Sequence, residues 1–348
     1  MERTFDFEKV MQPIWNDGGL AWCEPVAAAE TAPGETLIPL YYCADEILSV
    51  QSADLRTTYE AGKDYALENG CLRILPGSAI SVLTLDELYP KEKHDHTFGG
   101  RDGVAYLLFG EGTFFHERQL AVTYRHSDRW RGSVPAGKTD LLPKLAKRLA
   151  EKAPFRFLIF GDSITAGGNA SGCTGIAPYL PRFGELFAED LARRSGCEID
   201  VINTAVGGMT ADWGRKTAAE NVAAYHPDLV LIGFGMNDGS GHCSKEEFAD
   251  RLRSIIETTR AANPECEFIL VTSICANTKA CLYGTQADCA EGVRSLKGKG
   301  IAIADMMPVH EELLTKKRYV DMTGNNVNHP NDYLHRAYAQ IVASLMPL

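Results

Sequence analysis

The sequence predicts an α/β protein: a three-layer, flavodoxin-like domain on a parallel sheet, preceded by an all-β domain of sandwich or jelly-roll type. Three observations carry this. From residue 155 onward, five short apolar runs alternate with segments of helical period, and parallel neighbours in a sheet need such crossovers. From Thr36 to His126, single apolar residues alternate with polar ones between closely spaced turn signals. An amphipathic stretch, LLPKLAKRLAEK, joins the two. The expected boundaries are 1–135 for the β domain, 136–153 for the connector helix and 154–348 for the α/β domain.

In the β domain, Leu48 and Val50 alternate with Ser49 and Gln51, and Leu120, Val122 and Tyr124 alternate with Gln119, Thr123 and Arg125. Each run reads as a half-buried strand with one wet face. Asn69-Gly70, between DYALE and CLRIL, is a hairpin signal because a tight primed turn needs positive φ at its central residues. His94 and His96 in KHDHT alternate as two ligands on one strand face would. No third ligand stands at matching spacing, so they read as a solvated charged loop. In the connector, Leu141, Leu142, Leu145 and Leu149 recur at helical spacing among basic residues.

The α/β domain opens with Phe155, Phe157, Leu158, Ile159 and Phe160, bounded by Pro154 and Gly161, the pattern of a strand buried on both faces. Further strands are expected at Ile199–Val206, Asp228–Gly235, Phe268–Thr272 and Ile301–Ala304. Helices are expected over 179–195, Ala211–Tyr225, the run after a Ser244/Glu247 capping box, and Tyr333–Leu345. The first three strands end at GDSI, AVGGMT and GFGMND. They deliver Ser163, the Gly207-Gly208 pair and Asn237 to one edge of the sheet, where open α/β folds place their chemistry. Acyl transfer needs a nucleophile, a base and donors aimed at an oxyanion. Ser163 is the candidate nucleophile, and the backbone of Ser163, a glycine of the pair and the Asn237 amide are the candidate donors. His329, in NNVNHPND, is the candidate base. His335, in a nested DxxH with Asp332, falls inside the terminal helix instead. Asp162 and Asp238 are expected to tie loops to backbone. GGNASG lacks both the GxGxxG spacing and a Walker lysine, which argues against nucleotide binding.

These residues resemble the SGNH or GDSL-like hydrolases, serine esterases and acylhydrolases, over roughly Phe155 to the C-terminus. GDSIT matches the first block with Ser163. NTAVGGMT matches the second, with Gly208 as the oxyanion glycine and Gly207 as the alternative. GMND with Asn237 matches the third, and NHP with His329 the fifth. The attached β domain is also similar to that of two-domain carbohydrate esterases. The resemblance implies a metal-independent, cofactor-free serine ester hydrolase acting on a small-molecule or carbohydrate ester, with O-acetyl on a sugar as the preferred substrate. The family places an aspartate three residues before the histidine, and this chain has Asn326 there. Asp321, Asp332, Asn326 itself or a backbone carbonyl are the open choices for the group that orients His329. The missing aspartate also supports a rival reading, a glycan-binding protein with impaired turnover.

Composition narrows the partners. At 348 residues, 45% hydrophobic and 23% charged, the chain has an ordinary folded composition and the length for two domains. Its 35 basic and 46 acidic residues leave a net charge of −11, which argues against nucleic acid and anionic membranes, since both attract positive charge. With no membrane-length apolar run and no signal-peptide core, a cytoplasmic location is expected. The ten cysteines, scattered from Cys23 to Cys289 without CxxC spacing, are expected to be reduced thiols. Cys275, Cys281 and Cys289 lack the histidines and spacing of a metal site.

Overall fold

The polar–apolar alternation of the first 130 residues becomes antiparallel pairing in the computed structural model, which describes residues 3–135 and 137–348. After the short helix α1 (Phe7–Met11), β1 (Asp17–Ala27) pairs with β8 (Gln119–Arg129), which also pairs with β3 (Glu46–Ser52). A second sheet sets β5 (Cys71–Ile74) between β2 (Leu37–Ile38) and β4 (Tyr65–Glu68), while β6 (Thr97–Gly99) and β7 (Tyr106–Leu108) form a hairpin. Asn69 and Gly70 take φ of 52° and 75° between the paired residues Glu68 and Cys71, which is the two-residue turn expected of them. A single helical turn, α2 (Leu85–Leu88), carries a capping box between Thr84 and Glu87.

The connector forms α3 (Pro143–Glu151) and buries Leu145 and Leu149. Its amino end is held by the buried carboxylate of Glu267, which accepts from the N–H groups of Lys144 (3.2 Å) and Leu145 (2.8 Å). A negative charge there meets unpaired donors and the positive end of the helix.

Five parallel strands follow: β9 (Phe155–Gly161), β10 (Ile199–Asn203), β11 (Leu229–Gly233), β12 (Glu267–Val271) and β13 (Ile301–Ala304). Their order is β10-β9-β11-β12-β13, the flavodoxin-like arrangement, so the chain reverses direction across the sheet between β9 and β11. The crossovers contain α4 (Ser171–Thr174), α5 (Phe183–Ser195), α6 (Ala211–Asn221), α7 (Met236–Ser240), α8 (Lys245–Ala262) and α9 (Gln286–Arg294). The helices α10 (Met307–Leu314), α11 (Tyr319–Met322) and α12 (Asp332–Ser344) close the chain. Successive side chains of a strand leave opposite faces. Phe157, Ile159, Leu229 and Leu231 therefore pack with α5, α10 and α12, and Leu158, Phe160, Val230 and Ile232 pack with α6, α8 and α9. The result is three layers.

Several details differ from the expectations: α6 ends at Asn221 instead of Tyr225 and gives way to a 3-10 turn at Ala223–Tyr225, and three other differences have local reasons. β10 stops at Asn203 instead of running to Val206, because the Asn203 side chain accepts from the Ala205 N–H (3.0 Å) and turns the chain. The helix expected from 179 starts at Phe183, because Tyr179 takes a left-handed φ of +62° and Pro181 disfavours helical backbone at Leu180. Only the serine half of the expected capping box forms at α8: Ser244 accepts from the Glu247 N–H, while the Glu247 carboxylate pairs with Arg251.

The β-rich region and the α/β layers share one hydrophobic cluster, in which Val26, Val50, Val122 and Tyr124 join Tyr333, Leu334 and Ala337 of α12. Polar clamps surround it. The Arg318 guanidinium donates to the carbonyls of Ala27 (2.8 Å), Ala29 (3.1 Å) and Glu30 (3.2 Å), and the Ala27 N–H donates to Asp321 (2.8 Å). Lys317 donates to Glu24 at 2.7 Å, with both side chains out of solvent. The Glu24 carboxylate also accepts from the Tyr41 N–H (2.8 Å) and the Tyr124 hydroxyl (2.6 Å).

Candidate active site

β9 delivers Ser163 through a turn only glycine permits. A Cβ on Gly161 would stand 2.1 Å from the Gly233 carbonyl oxygen, which already accepts from the Asp162 N–H (3.0 Å) and the Thr165 hydroxyl (2.8 Å). Asp162 is buried and accepts from the Ile164 N–H (3.0 Å). Burial pushes its carboxyl pKa up to about 7, against the opposing pull of that N–H and of His329. Asp238 plays the matching structural part on the next loop. Both of its oxygens accept from the Ala211 N–H at 3.0 Å, holding the start of α6, and Arg251 donates to it at 3.1 Å.

The imidazole of His329 reaches Ser163: Nε2 lies 2.9 Å from Oγ. The loop that carries it is organised by Asn325, whose side-chain oxygen accepts from the N–H groups of Val327, Asn328 and His329, each at 3.0 Å. Gly168 makes room for the ring, since a Cβ there would come within 3.1 Å of Nδ1. Of the glycine pair, Gly207 is the one against the serine, its Cβ position lying 3.7 Å from the Ser163 Cβ. Gly208 takes a φ of +79° with open space around it, and Asn237 donates through Nδ2 to the Met209 carbonyl at 2.9 Å, tying α7 to the glycine loop. Ser163 and His329 are thus hydrogen-bonded, and Asn237 meets the loop that carries Gly208.

None of the three side chains considered for orienting His329 does so. Asn326, at φ +63°, turns away and donates to the Leu108 carbonyl at 3.0 Å. Asp321 is spent on Arg318 and Ala27, and Asp332 accepts from the Ser171 N–H at 2.8 Å. Instead, Nδ1 lies 2.8 Å from Oδ1 of Asn169 and 3.1 Å from Oε2 of Glu111. The amide of Asn169 has one orientation, because its Nδ2 donates to the carbonyls of Gly112 and Gly324, both at 3.1 Å. An oxygen therefore faces the ring, Nδ1 carries the proton, and Nε2 is left as the acceptor for the Ser163 hydroxyl. Asn169 sits in GGNASG and Glu111 in FGEGTFF, and no spacing rule links either to the histidine.

The other histidines stand apart from this chemistry. His335 donates through Nε2 to the Gly168 carbonyl (3.1 Å) from inside α12, and burial pushes its pKa down to about 4. His96 stacks on Phe114 with ring centroids 4.4 Å apart, and its N–H donates to the His94 ring at 3.2 Å. Among the described residues, no group of three or more His, Cys, Asp or Glu is placed to hold a metal ion. A cavity of about 590 Å³ lined by Tyr89, Lys279, Tyr283 and Arg318 lies elsewhere, and Ser163, Gly208, Asn237 and His329 do not line it.

A model of the GDSL-like lipase/acylhydrolase family matches residues 159–337, just over half the chain, and so spans Ser163, Gly208, Asn237 and His329. The chain belongs to this family. Among solved structures, this GDSL-family chain is similar to a two-domain esterase active on acetylated mannans, at 21% identity and a TM-score of 0.48 over 61% of this chain and 54% of that one. It therefore spans about half the length of that protein. It is also similar to Axe2, an acetylxylan esterase from Geobacillus stearothermophilus, at 20% identity and a TM-score of 0.45 over 54% of this chain and 92% of that one. A search of curated proteins gave no match. Glu111 lies outside the segment that the family model covers.

Proposed function

We propose that this GDSL-family protein is a serine esterase that cleaves a small acyl ester, preferably O-acetyl on a carbohydrate, through an acyl-enzyme. The observation that carries the reading is the 2.9 Å contact between Ser163 Oγ and a His329 Nε2 whose tautomer is set by Asn169. Ser163 Oγ attacks the ester carbonyl as His329 Nε2 takes its proton. The carbonyl oxygen gains the negative charge, and the N–H groups of Ser163 and Gly208 and the Asn237 amide are its donors. An amide nitrogen carries two hydrogens. One of those on Asn237 is held by Met209, and the second is the donor for the oxyanion. Each such donor contributes on the order of 3 kcal/mol of transition-state stabilisation. Collapse of the intermediate expels the alcohol, which receives the proton from His329. Water then repeats the sequence on the acyl-serine. Glu111, half-exposed beside the ring, is a polar group that suits a hydroxyl-rich alcohol better than a long acyl chain.

The test is hydrolysis of p-nitrophenyl acetate together with labelling by a fluorophosphonate, followed by a panel of acetylated sugars. Ser163→Ala should abolish both turnover and labelling, and His329→Ala should abolish turnover. A folded wild-type protein that is neither labelled at Ser163 nor active would overturn the esterase reading in favour of a glycan binder.

A further inference from the structure

We infer that Glu111, carried by the β-rich region and outside the segment shared with the family, is the carboxylate partner of His329, so that the first 130 residues complete the catalytic site. This rests on the esterase reading above. When His329 takes the serine proton it becomes a cation, and a neutral amide can orient that cation without offsetting its charge. The two groups at Nδ1 divide the work. Asn169, at 2.8 Å and locked by Gly112 and Gly324, sets the tautomer. Glu111, at 3.1 Å, supplies the negative charge. The proton stays on the imidazole until the alcohol leaves, and Glu111 remains a carboxylate throughout.

The loop that presents Glu111 is built for the task. A Cβ on Gly110 would meet the Phe114 ring at 2.4 Å, and Gly112 takes a φ of +69°, so the glutamate sits on a turn its two neighbours make possible. Three bonds fasten this loop to the α/β layers: the Leu108 carbonyl accepts from Asn326 (3.0 Å), Glu111 Oε1 from Asn325 (3.0 Å), and the Gly112 carbonyl from Asn169 (3.1 Å). Position 326, where the related enzymes keep an aspartate, is occupied here by an amide that anchors the loop bearing the replacement. Partial burial raises the Glu111 pKa, but the bonds from His329 and Asn325 outweigh it and hold the carboxyl below its ordinary range, so it is ionised near neutral pH. Among the described residues, the other titratable groups whose charge is felt at the ring are Asp162 and His335.

Glu111→Gln keeps the shape and removes the charge. Relative to wild type, kcat on p-nitrophenyl acetate should fall by about 10- to 100-fold with KM within about twofold, and the acid limb of kcat/KM should move to lower pH. Glu111→Ala should be slower still and should be partly restored by formate, which can enter because the Glu111 side chain is 51% exposed; chloride should not restore it. A loop-anchoring role alone predicts neither the shifted limb nor formate rescue. An active wild type whose Glu111→Gln variant stays within about twofold, with an unmoved acid limb, would overturn this inference and leave the esterase reading standing. A wild type unlabelled at Ser163 would overturn both.

Discussion

Replacing Lys317 with methionine should destabilise the fold by about 3–5 kcal/mol, because it strands a buried carboxylate. The Lys317 and Glu24 side chains are 0% and 2% exposed and meet at 2.7 Å, so solvent screening is nearly absent. At an effective dielectric of about 20, a pair at that distance attracts by about 6 kcal/mol, and the cost of taking both ions out of water offsets most of it. Methionine fills nearly the same volume, so the loss is electrostatic and not a cavity effect. The Tyr41 N–H and the Tyr124 hydroxyl still bond the carboxylate in the variant, which keeps the cost within that range. Urea unfolding followed by far-UV circular dichroism measures the change in midpoint and slope. The double variant Glu24→Gln/Lys317→Met removes both charges and should recover at least half of the loss. A single-variant cost under about 1 kcal/mol, or a double variant no better than the single, would refute the view that this pair is a buried ionic contact between β1 and the segment ahead of α11.

Three further outcomes follow from the geometry. The raised Asp162 pKa means that the folded chain keeps a proton up to about pH 7 that the unfolded chain releases above about pH 4. Its contribution to stability is complete below that window and is lost as pH rises through it, so Asp162→Asn should flatten the decline in urea midpoint between pH 4.5 and 7.5, and an unchanged slope would count against it. Asn326→Asp should lower the melting temperature, since it replaces the donor to Leu108 with a repelling oxygen, and should not raise kcat; a faster enzyme would mean that position 326 faces the ring after all. Gly161→Ala should cost about 3 kcal/mol or more in thermal or urea unfolding, because its Cβ meets the Gly233 carbonyl and Thr165 in the strand end that presents the serine.

The five parallel strands and their order were legible in the sequence because each is a local apolar run, and the crossover rule leaves few ways to stack them. Ser163 and His329 were legible for a similar reason: each sits in a short motif at a strand end or just before a helix. Asn169 and Glu111 were not, being 160 and 218 residues from His329 with no local pattern to betray them. Asn326 reads in sequence as a weakened acid, whereas its positive φ and its bond to Leu108 explain an asparagine without reference to catalysis. The Lys317–Glu24 contact is hidden in the same way, since each partner alone looks like a surface charge until the tertiary fold buries both.

The unbroken hydrophobic cluster between β1, β8 and α12 has a consequence for how this chain tolerates change. Removing the residues before the connector would strip the cover from Tyr333, Leu334 and Ala337 and leave a greasy helix facing water, so the remainder would aggregate instead of persisting as a smaller hydrolase. The two halves are therefore bound to one fate, and insertions or fusions belong at exposed turns such as Gly62-Lys63.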